Sequence, residues 1–464
     1  MTIDSTWLHA FKDEAPHAFT PHRPFAPRAI FVDGQIRLMQ GFQQDPITWD
    51  QFIQRQFAYH LEACYKTCPV VILAFDDYDH VPRAKCMTQA KRRKHAPAAS
   101  FGDQAELPCM VPEGALWTQC IANRTFKTRV IELVLLRLPQ ILLTPDAPAD
   151  RRLIVDYRGP PRVYAWAEAE RRPQCAPFEE GLGPLGEADV KFTRYADRFG
   201  RLLVHSIDGD SIPIALLHLE RRRRVMAEPP QVAVYRMELS EASASGTKRN
   251  ADAREARRRK AYEYVSIPAL HQALMQVAAQ CTGRVGTPTH RGHEMAMMVA
   301  LIGLTGTDFS RGLPQLSGRS VYGFLPDLWG ALLMGYDPVS MRLTLPFAAD
   351  VLIAHLYRTK FPKHTRGVMP EEGLPAVLAA LQASPMAPRV KATLPTAARI
   401  ACTVRNVNWV LAYWGRGEED GPTPDPVQPA YGYRALPSGA TEYDDDDQGC
   451  GHGKDARMPR PQRV

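Results

Sequence analysis

Seven acidic residues stand in short clusters, most of them directly after an apolar run or at the expected start of a helix. They are Asp33, Asp76, Glu187, Asp189, Asp208, Asp210 and Asp308. Carboxylates that emerge together from buried elements repel one another unless a cation gathers them. Carboxylate oxygens are the ligands that Mg²⁺ and Mn²⁺ prefer. Two such ions about 4 Å apart can activate water for phosphodiester hydrolysis, so this set predicts a two-metal nuclease site.

Capping is the alternative explanation for each acid taken alone, because aspartates often cap helices and turns. For the set as a whole, the motifs in the neighbouring sequence, described below, argue against capping, and two pairs have a spacing that could bring their carboxylates together. Glu187 and Asp189 are two residues apart, as are Asp208 and Asp210, and in an extended segment residues i and i+2 point the same way. Three aspartates follow the apolar run at 70–75, and any one of them could be the ligand: Asp76, Asp77 and Asp79. Asp76 is chosen because it directly follows the predicted strand.

A basic run at residues 81–94 is the second constellation. Its polar side chains are spaced by four, three and one residues, which places them on one face of a helix: Lys85, Gln89, Arg92 and Arg93. Such a face can hold a scissile or terminal phosphate, with arginine making bidentate contacts and lysine acting as a point charge. The alternative is a solvated basic helix.

The order Pro-Arg-Ala-Lys-x-x-x-Gln-x-x-Arg-Arg in this run resembles the basic motif of the Xrn-type 5′→3′ exoribonucleases, a branch of the flap-endonuclease/XPG superfamily. Four further segments resemble that family in the same order, so that the resemblance covers roughly residues 1–415. They are residues 186–191, 207–212, 302–316 and 408–414.

The resemblance implies a PIN-like or flap-nuclease-like core and two Mg²⁺ ions, with Mn²⁺ as a substitute, held by the seven acids. It implies that Lys85 and Arg92 act at the scissile phosphate and that Gln89 and Arg93 grip a 5′-monophosphate. Trp409 would stack on a nucleotide, although its helical spacing with Val410 and Tyr413 equally predicts a core side chain. The expected partner is RNA.

Four departures from the family pattern affect what it implies. Two residues are inserted between Asp76 and the basic run, and Met39 stands where the family has a histidine that stacks on the 5′ base. Asp189 replaces a glutamate. The 19-residue step from Asp189 to Asp208 matches flap endonucleases better than Xrn enzymes. A flap-type DNA endonuclease, or a nuclease-fold protein that binds nucleic acid without cutting it, therefore remains an alternative.

Apolar runs that alternate with helical periodicity predict an α/β fold with a mostly parallel sheet flanked by helices, followed by a helical subdomain. Strands are expected at residues 28–32, 70–75 and 202–207, with their ligands at the carboxyl ends. A short hairpin is expected at 153–166. The predicted organisation is a nuclease core at 1–240, a basic flexible segment at 241–262, a helical part at 263–435 that completes the nuclease region, and a disordered tail at 436–464.

The net charge of +7 favours a polyanionic partner. No run approaches the length of a membrane helix, and no secretory signal is evident at the N-terminus. The nine scattered cysteines suit free thiols in a reducing compartment, so an intracellular location in cytoplasm or nucleus is expected. Cys64 and Cys68 lack a second ligand pair, so this pair does not predict a zinc site. A monomer is the expected state.

Overall fold

The computed structural model describes most of the chain but not all of it. The described residues are 5–39, 47–77, 107–179, 185–237, 262–282, 294–307, 312–316, 318–323, 336–337, 342–344, 348–415, 433–435 and 441–443. The chain forms two compact units. The sheet unit is Pro16–Leu270 with Gly417–Gly421, and the helical unit is Met1–Ala15, His271–Arg416 and Pro422–Val464.

A nine-stranded mixed sheet forms the centre of the sheet unit. Its strands are β1 Phe19–Thr20, β2 Ala29–Asp33, β3 Val70–Ala74, β4 Arg152–Asp156, β5 Arg162–Ala167, β6 Arg172–Pro177, β7 Arg201–His205, β8 Gln231–Met237 and β9 Tyr262–Ser266, in the order β1-β9-β8-β7-β2-β3-β4-β5-β6. The five strands from β8 to β4 in that order are parallel, and the strands added at each edge are antiparallel.

Fifteen helices accompany the strands in the described residues. They are α1 Ser5–Glu14, α2 Gly34–Met39, α3 Trp49–Ile53, α4 Tyr59–Tyr65, α5 Gly114–Ala122, α6 Arg124–Leu142, α7 Ala188–Phe199, α8 Ser211–Val225, α9 Ile267–Thr282, α10 Glu294–Thr305, α11 Gly318–Gly323, α12 Ala354–Lys360, α13 Gly373–Ala383, α14 Pro388–Lys391 and α15 Ala397–Trp414. A π-helical turn at Gln54–Ala58 joins α3 to α4.

Continuous apolar runs make β2 and β3 the middle of the sheet. All five β2 residues are buried, as are four of the five in β3, because helices cover both faces of a parallel sheet. One face packs on α3 to α6 through rings such as Phe52, Phe57 and Trp117. On the other face Phe31 of β2 meets Phe192 of α7 with ring centroids 6.1 Å apart. The predicted α/β fold with helices on both faces of the sheet is confirmed, with a parallel centre.

The sequence did not predict the strands β1, β6, β8 and β9, of which β1 and β6 form the two edges, so the sheet is wider than expected. The hairpin expected at 153–166 is present, but its first strand, β4, pairs in parallel with β3 and so belongs to the central sheet. The basic helix expected at 81–94 lies outside the described residues, as does most of the tail predicted at 436–464. Within the range 436–464, strand Thr441–Tyr443 pairs antiparallel with Tyr433–Ala435.

The helical unit is held by contacts of high sequence separation. Trp7 of α1 is fully buried, and its indole Nε1 donates to Thr305 Oγ1 at 2.9 Å. The Asn408 amide of α15 pairs with both backbone groups of Leu343, at 2.7 and 2.9 Å. In the part of the chain that the structure describes, no helix is long and apolar enough to span a bilayer.

Candidate metal centre

The carboxyl ends of the parallel strands bring most of the predicted acids to one edge of the sheet. Asp33 is the last residue of β2, Asp76 lies two residues beyond β3, and Asp208 lies three residues beyond β7. Because β2 pairs in parallel with both β3 and β7, these three ends are adjacent. Asp189 joins them from the first turn of α7. The topology therefore turns four positions, scattered over the sequence, into one cluster.

Asp33 is the centre of this cluster and is only 5% exposed. Burial raises its pKa well above that of an ordinary aspartate, because a charged carboxylate loses its hydration. Neighbouring carboxylates raise that pKa further, and they belong to Asp189, Asp76 and Asp208. The backbone N–H of Gln35 donates to Asp33 Oδ1 at 2.8 Å and opposes the shift in part. The cluster is thus an electrostatically unfavourable arrangement for the metal-free protein.

The neighbourhood of β3 separates the competing aspartates. Asp76 Oδ1 accepts a hydrogen bond from Ala188 N at 3.0 Å, at the start of α7, and its charge acts on Asp33. Asp77 is also buried, but its charge contributes to the raised pKa of the Tyr157 phenol, which burial dominates. Of these two aspartates, Asp76 is the one whose charge raises the pKa of Asp33. Asp79 lies outside the described residues.

Glu187 and Asp210 occupy the N-cap positions of α7 and α8 and are 0% and 1% exposed. Neither side chain makes the capping hydrogen bond that these positions permit. Helix capping therefore does not account for these two acids. Asp208 differs, because its Oδ1 accepts from Asp210 N at 3.1 Å and so closes a local turn. The positive ends of α7 and α8 offset part of the negative charge here.

Asp156, at the end of β4, is an acid of the same strand-end type that the sequence did not single out. Lys191 neutralises it, with Nζ 2.8 Å from Asp156 Oδ1, and the Tyr195 hydroxyl donates to its Oδ2 at 2.8 Å. Lys191 Nζ also donates to the carbonyls of Phe75 and Asp156 at 2.7 and 3.0 Å. The pair is buried and ties α7 to the ends of β3 and β4. Asp156 therefore has a structural role. Its ion pair with Lys191 distinguishes it from the aspartates of the cluster around Asp33.

Several predicted site residues cannot be placed beside the cluster. The basic residues Lys85, Gln89, Arg92 and Arg93, together with Asp308, lie outside the described residues. Trp409 belongs to the helical unit, where it is fully buried and stacks on Tyr413 with ring centroids 5.0 Å apart. This packing is that of a core side chain, so the nucleotide-stacking role predicted for Trp409 is not supported.

Gly34 lets the β2 end approach the β3 end closely, and we predict that Gly34→Ala destabilises the sheet unit. A Cβ at this position would lie 2.4 Å from Cε1 of Phe75, whose buried ring is held between Phe57 and Tyr157. Overpacking of this kind costs about 1–3 kcal/mol, measured as the free energy of unfolding in urea. Gly323→Ala is the control, because its added Cβ would meet nothing within 4 Å. Equal losses in both variants would contradict the prediction.

Comparisons with known proteins add little to this geometry. No family model matches the chain, and no curated protein matches it. Two solved structures of the catalytic core of Rad2 in complex with DNA substrate are similar over much of their length. The first is 13% identical with a TM-score of 0.35, covering 69% of this chain and 68% of that chain. The second is 12% identical with a TM-score of 0.34, covering 82% and 99%.

Proposed function

We propose that the protein is a divalent-metal-dependent nuclease that hydrolyses phosphodiester bonds from the 5′ end, with 5′-monophosphorylated RNA as its substrate. One observation carries the metal-dependent part of this proposal. A buried carboxylate, Asp33, is surrounded by the charges of three others, so that its pKa is strongly raised. Strongly perturbed titratable groups that gather at the carboxyl ends of parallel strands are typical of functional sites.

The donor set suits Mg²⁺ or Mn²⁺. Asp33, Asp76, Asp189 and Asp208 supply only hard carboxylate oxygens, and these cations prefer such ligands together with retained water. The mutual repulsion of these acids is also the energy that a bound cation would relieve. We assign Glu187 and Asp210 to the same set because they are buried at adjoining helix starts without capping them. Asp308 is the seventh proposed ligand, from sequence alone.

Two divalent cations, when bound, would supply Lewis-acid activation of water and neutralisation of charge at the scissile phosphate. The residues of this chain would then position the phosphodiester. Lys85 and Arg92 would neutralise negative charge that develops at the scissile phosphate. Gln89 and Arg93 would hold the terminal 5′ phosphate, which explains a preference for 5′-monophosphate ends. The roles of these four residues come from the motif that resembles the Xrn-type enzymes.

A flap-type DNA endonuclease is the second candidate. The observation that favours it is the 19-residue step between Asp189 and Asp208, which is the spacing of flap endonucleases. Both candidates use the same carboxylates, so the site geometry does not separate them, whereas substrate choice does.

The test uses labelled RNA and DNA with 5′-phosphate or 5′-hydroxyl ends, in Mg²⁺ and in EDTA. We expect mononucleotides to be released from 5′-phosphorylated RNA in Mg²⁺ and not in EDTA. Cleavage at the junction of a DNA flap would instead establish the second candidate. Arg93→Ala should reduce the preference for 5′-phosphate over 5′-hydroxyl ends about tenfold or more, the loss of one charge-assisted contact. Binding of RNA and DNA without cleavage in any metal would refute both candidates.

A further inference from the structure

A second cluster of potential metal ligands lies apart from the carboxylates. It consists of His60 and Cys64, one helical turn apart on α4, and His205, the last residue of β7. His205 Nδ1 is 3.2 Å from His60 Nε2, and Cys64 Sγ is 3.7 Å from His205 Nδ1 and 3.9 Å from His60 Nε2. Three ligand atoms of soft or borderline character therefore face one point.

These separations are those of a tetrahedral zinc site. Zinc bonds of about 2.0–2.1 Å to nitrogen and 2.3 Å to sulfur give edges of about 3.3 Å between two nitrogens and about 3.6 Å between nitrogen and sulfur. The observed 3.2, 3.7 and 3.9 Å lie within a few tenths of an ångström of those edges. A hydrogen bond between the two imidazoles would explain the first distance alone. It would not explain why the thiol is nearly equidistant from both rings.

The cluster lies on the opposite face of the sheet from the carboxylates' helix α7. His205 shares its face with Leu203, and Leu203 belongs to the same core as Leu61 and Cys64 of α4. Phe31, of the same strand as Asp33, faces Phe192 of α7 instead. The three ligand side chains therefore belong to the face of the sheet opposite α7, although the small cavity beside His205 also reaches Asp33.

The protonation of the two imidazoles suits metal binding. Burial, with a smaller effect of the Arg37 charge, lowers the pKa of His60 to about 3. Burial lowers the pKa of His205 well below its ordinary value. Both rings are thus neutral at physiological pH, the form that coordinates metals. Burial also raises the pKa of the Cys64 thiol to about 12, while the Arg37 charge opposes that shift.

We propose that His60 Nε2, Cys64 Sγ and His205 Nδ1 bind one Zn²⁺ ion, with a water molecule as the fourth ligand. A cavity of about 10 Å³ adjoins His205 and is lined also by Asp33, Arg37 and Tyr235, and this volume is about the size of one water. Cys64 binds as the thiolate, so its proton passes to solvent when the metal enters. The bound ion would link α4 to the end of β7.

The test measures metal binding by the metal-free full-length chain with Zn²⁺ and with Co²⁺ as a spectroscopic substitute. With excess Mg²⁺ present to occupy the carboxylate cluster, we expect one equivalent of Zn²⁺ per chain in equilibrium dialysis. Co²⁺ should give a thiolate-to-cobalt charge-transfer band and the intense visible bands of a tetrahedral site. Cys64→Ser should abolish the charge-transfer band. His205→Gln should weaken Zn²⁺ binding by at least about 100-fold, because losing a ligand costs more than the 10–100-fold that outer-shell changes cost.

Two control variants define the site. Cys120→Ser removes another buried thiol of the same core and should leave the cobalt spectrum unchanged. Asp189→Asn, which changes the carboxylate cluster but does not line the cavity beside His205, should also leave it unchanged, which makes failure of this proposal distinguishable from failure of the proposed nuclease. Far-ultraviolet circular dichroism checks that each variant is folded. The absence of a charge-transfer band in the wild type at saturating Co²⁺, or an undiminished band in Cys64→Ser, would overturn the proposal.

Discussion

Asp33→Asn will reduce phosphodiester hydrolysis by about 10³-fold, because a metal ligand contributes several kcal/mol to the stabilised transition state. In the absence of divalent metal, the same substitution will raise the free energy of unfolding. Both effects come from one cause. Asp33 is a buried carboxylate beside other carboxylates, and its pKa is strongly raised. Asparagine keeps the shape and the acceptor for Gln35 N but removes the charge that the fold holds at a cost.

The measurement compares cleavage rates at saturating Mg²⁺ with urea unfolding in EDTA. Excess Mg²⁺ should stabilise the wild type against unfolding and should stabilise Asp33→Asn less, since ligand binding to the folded state adds stability by mass action. Loss of activity together with a gain of metal-free stability would identify a site built for a cation. If Asp33 had a purely structural role, the same substitution would instead lower the free energy of unfolding.

Asp197 provides the matched control for this experiment. Burial alone would raise its pKa, but hydrogen bonds and charges from His218 and Arg222 outweigh burial and lower it. His218 Nε2 and Arg222 Nε lie 2.9 and 2.8 Å from Asp197 Oδ1. Asp197→Asn should therefore lower the free energy of unfolding and leave cleavage unchanged. If Asp33→Asn behaved like Asp197→Asn in both assays, the metal-site assignment would be wrong.

The central strands of the sheet could be predicted from the sequence, whereas most strands towards its edges could not. Apolar runs identify β2, β3 and β7, because strands buried on both faces need continuous apolar residues. The edge strand β6, Arg172–Pro177, contains two prolines and little apolar alternation, so no periodicity marks it. Strand β9 pairs with β8 only after a long intervening segment, and pairing of this kind is set by tertiary contacts.

The candidate site divides in the same way. Strand ends predict where carboxylates meet, but the rule does not distinguish Asp76 from Asp77, which the structure separates by their neighbours Ala188 and Tyr157. The rule also applies to Asp156, which Lys191 neutralises. The zinc-type cluster shows a different limit. His60 and Cys64 are four residues apart on α4, but the third member of the cluster lies 141 residues beyond Cys64.

Lys191→Met will lower the free energy of unfolding by about 3–5 kcal/mol, the usual cost of removing one partner of a buried ion pair. Lys191 and Asp156 are each 1% exposed, and their ion pair is 2.8 Å long. Methionine fills a similar volume but leaves the Asp156 charge without its main counter-ion. It also leaves the Phe75 carbonyl without the hydrogen bond from Lys191. The measurement is urea unfolding followed by circular dichroism.

Two comparisons separate charge from packing in this prediction. Lys191→Met/Asp156→Asn should recover part of the loss, because asparagine removes the stranded charge and keeps an acceptor for Tyr195. The exposed pair Arg158–Glu132, 3.2 Å apart with side chains 39% and 55% exposed, is the surface control. Glu132→Gln there should cost no more than about 1 kcal/mol. No recovery in the double variant would mean that packing, and not charge, explains the loss.

The position of Lys191 also links this frame to the metal centre. It lies on α7 two residues after Asp189, and its ammonium holds the carbonyl of Phe75, the residue before Asp76. Lys191→Met should therefore loosen two proposed metal ligands at once. At a temperature where the variant is still folded, we expect the Mg²⁺ concentration for half-maximal cleavage to rise at least about tenfold, as for loss of an outer-shell partner. An unchanged Mg²⁺ dependence would show that Lys191 contributes only to folding stability. If Lys191 positions the acids, its loss must weaken their affinity for the ion.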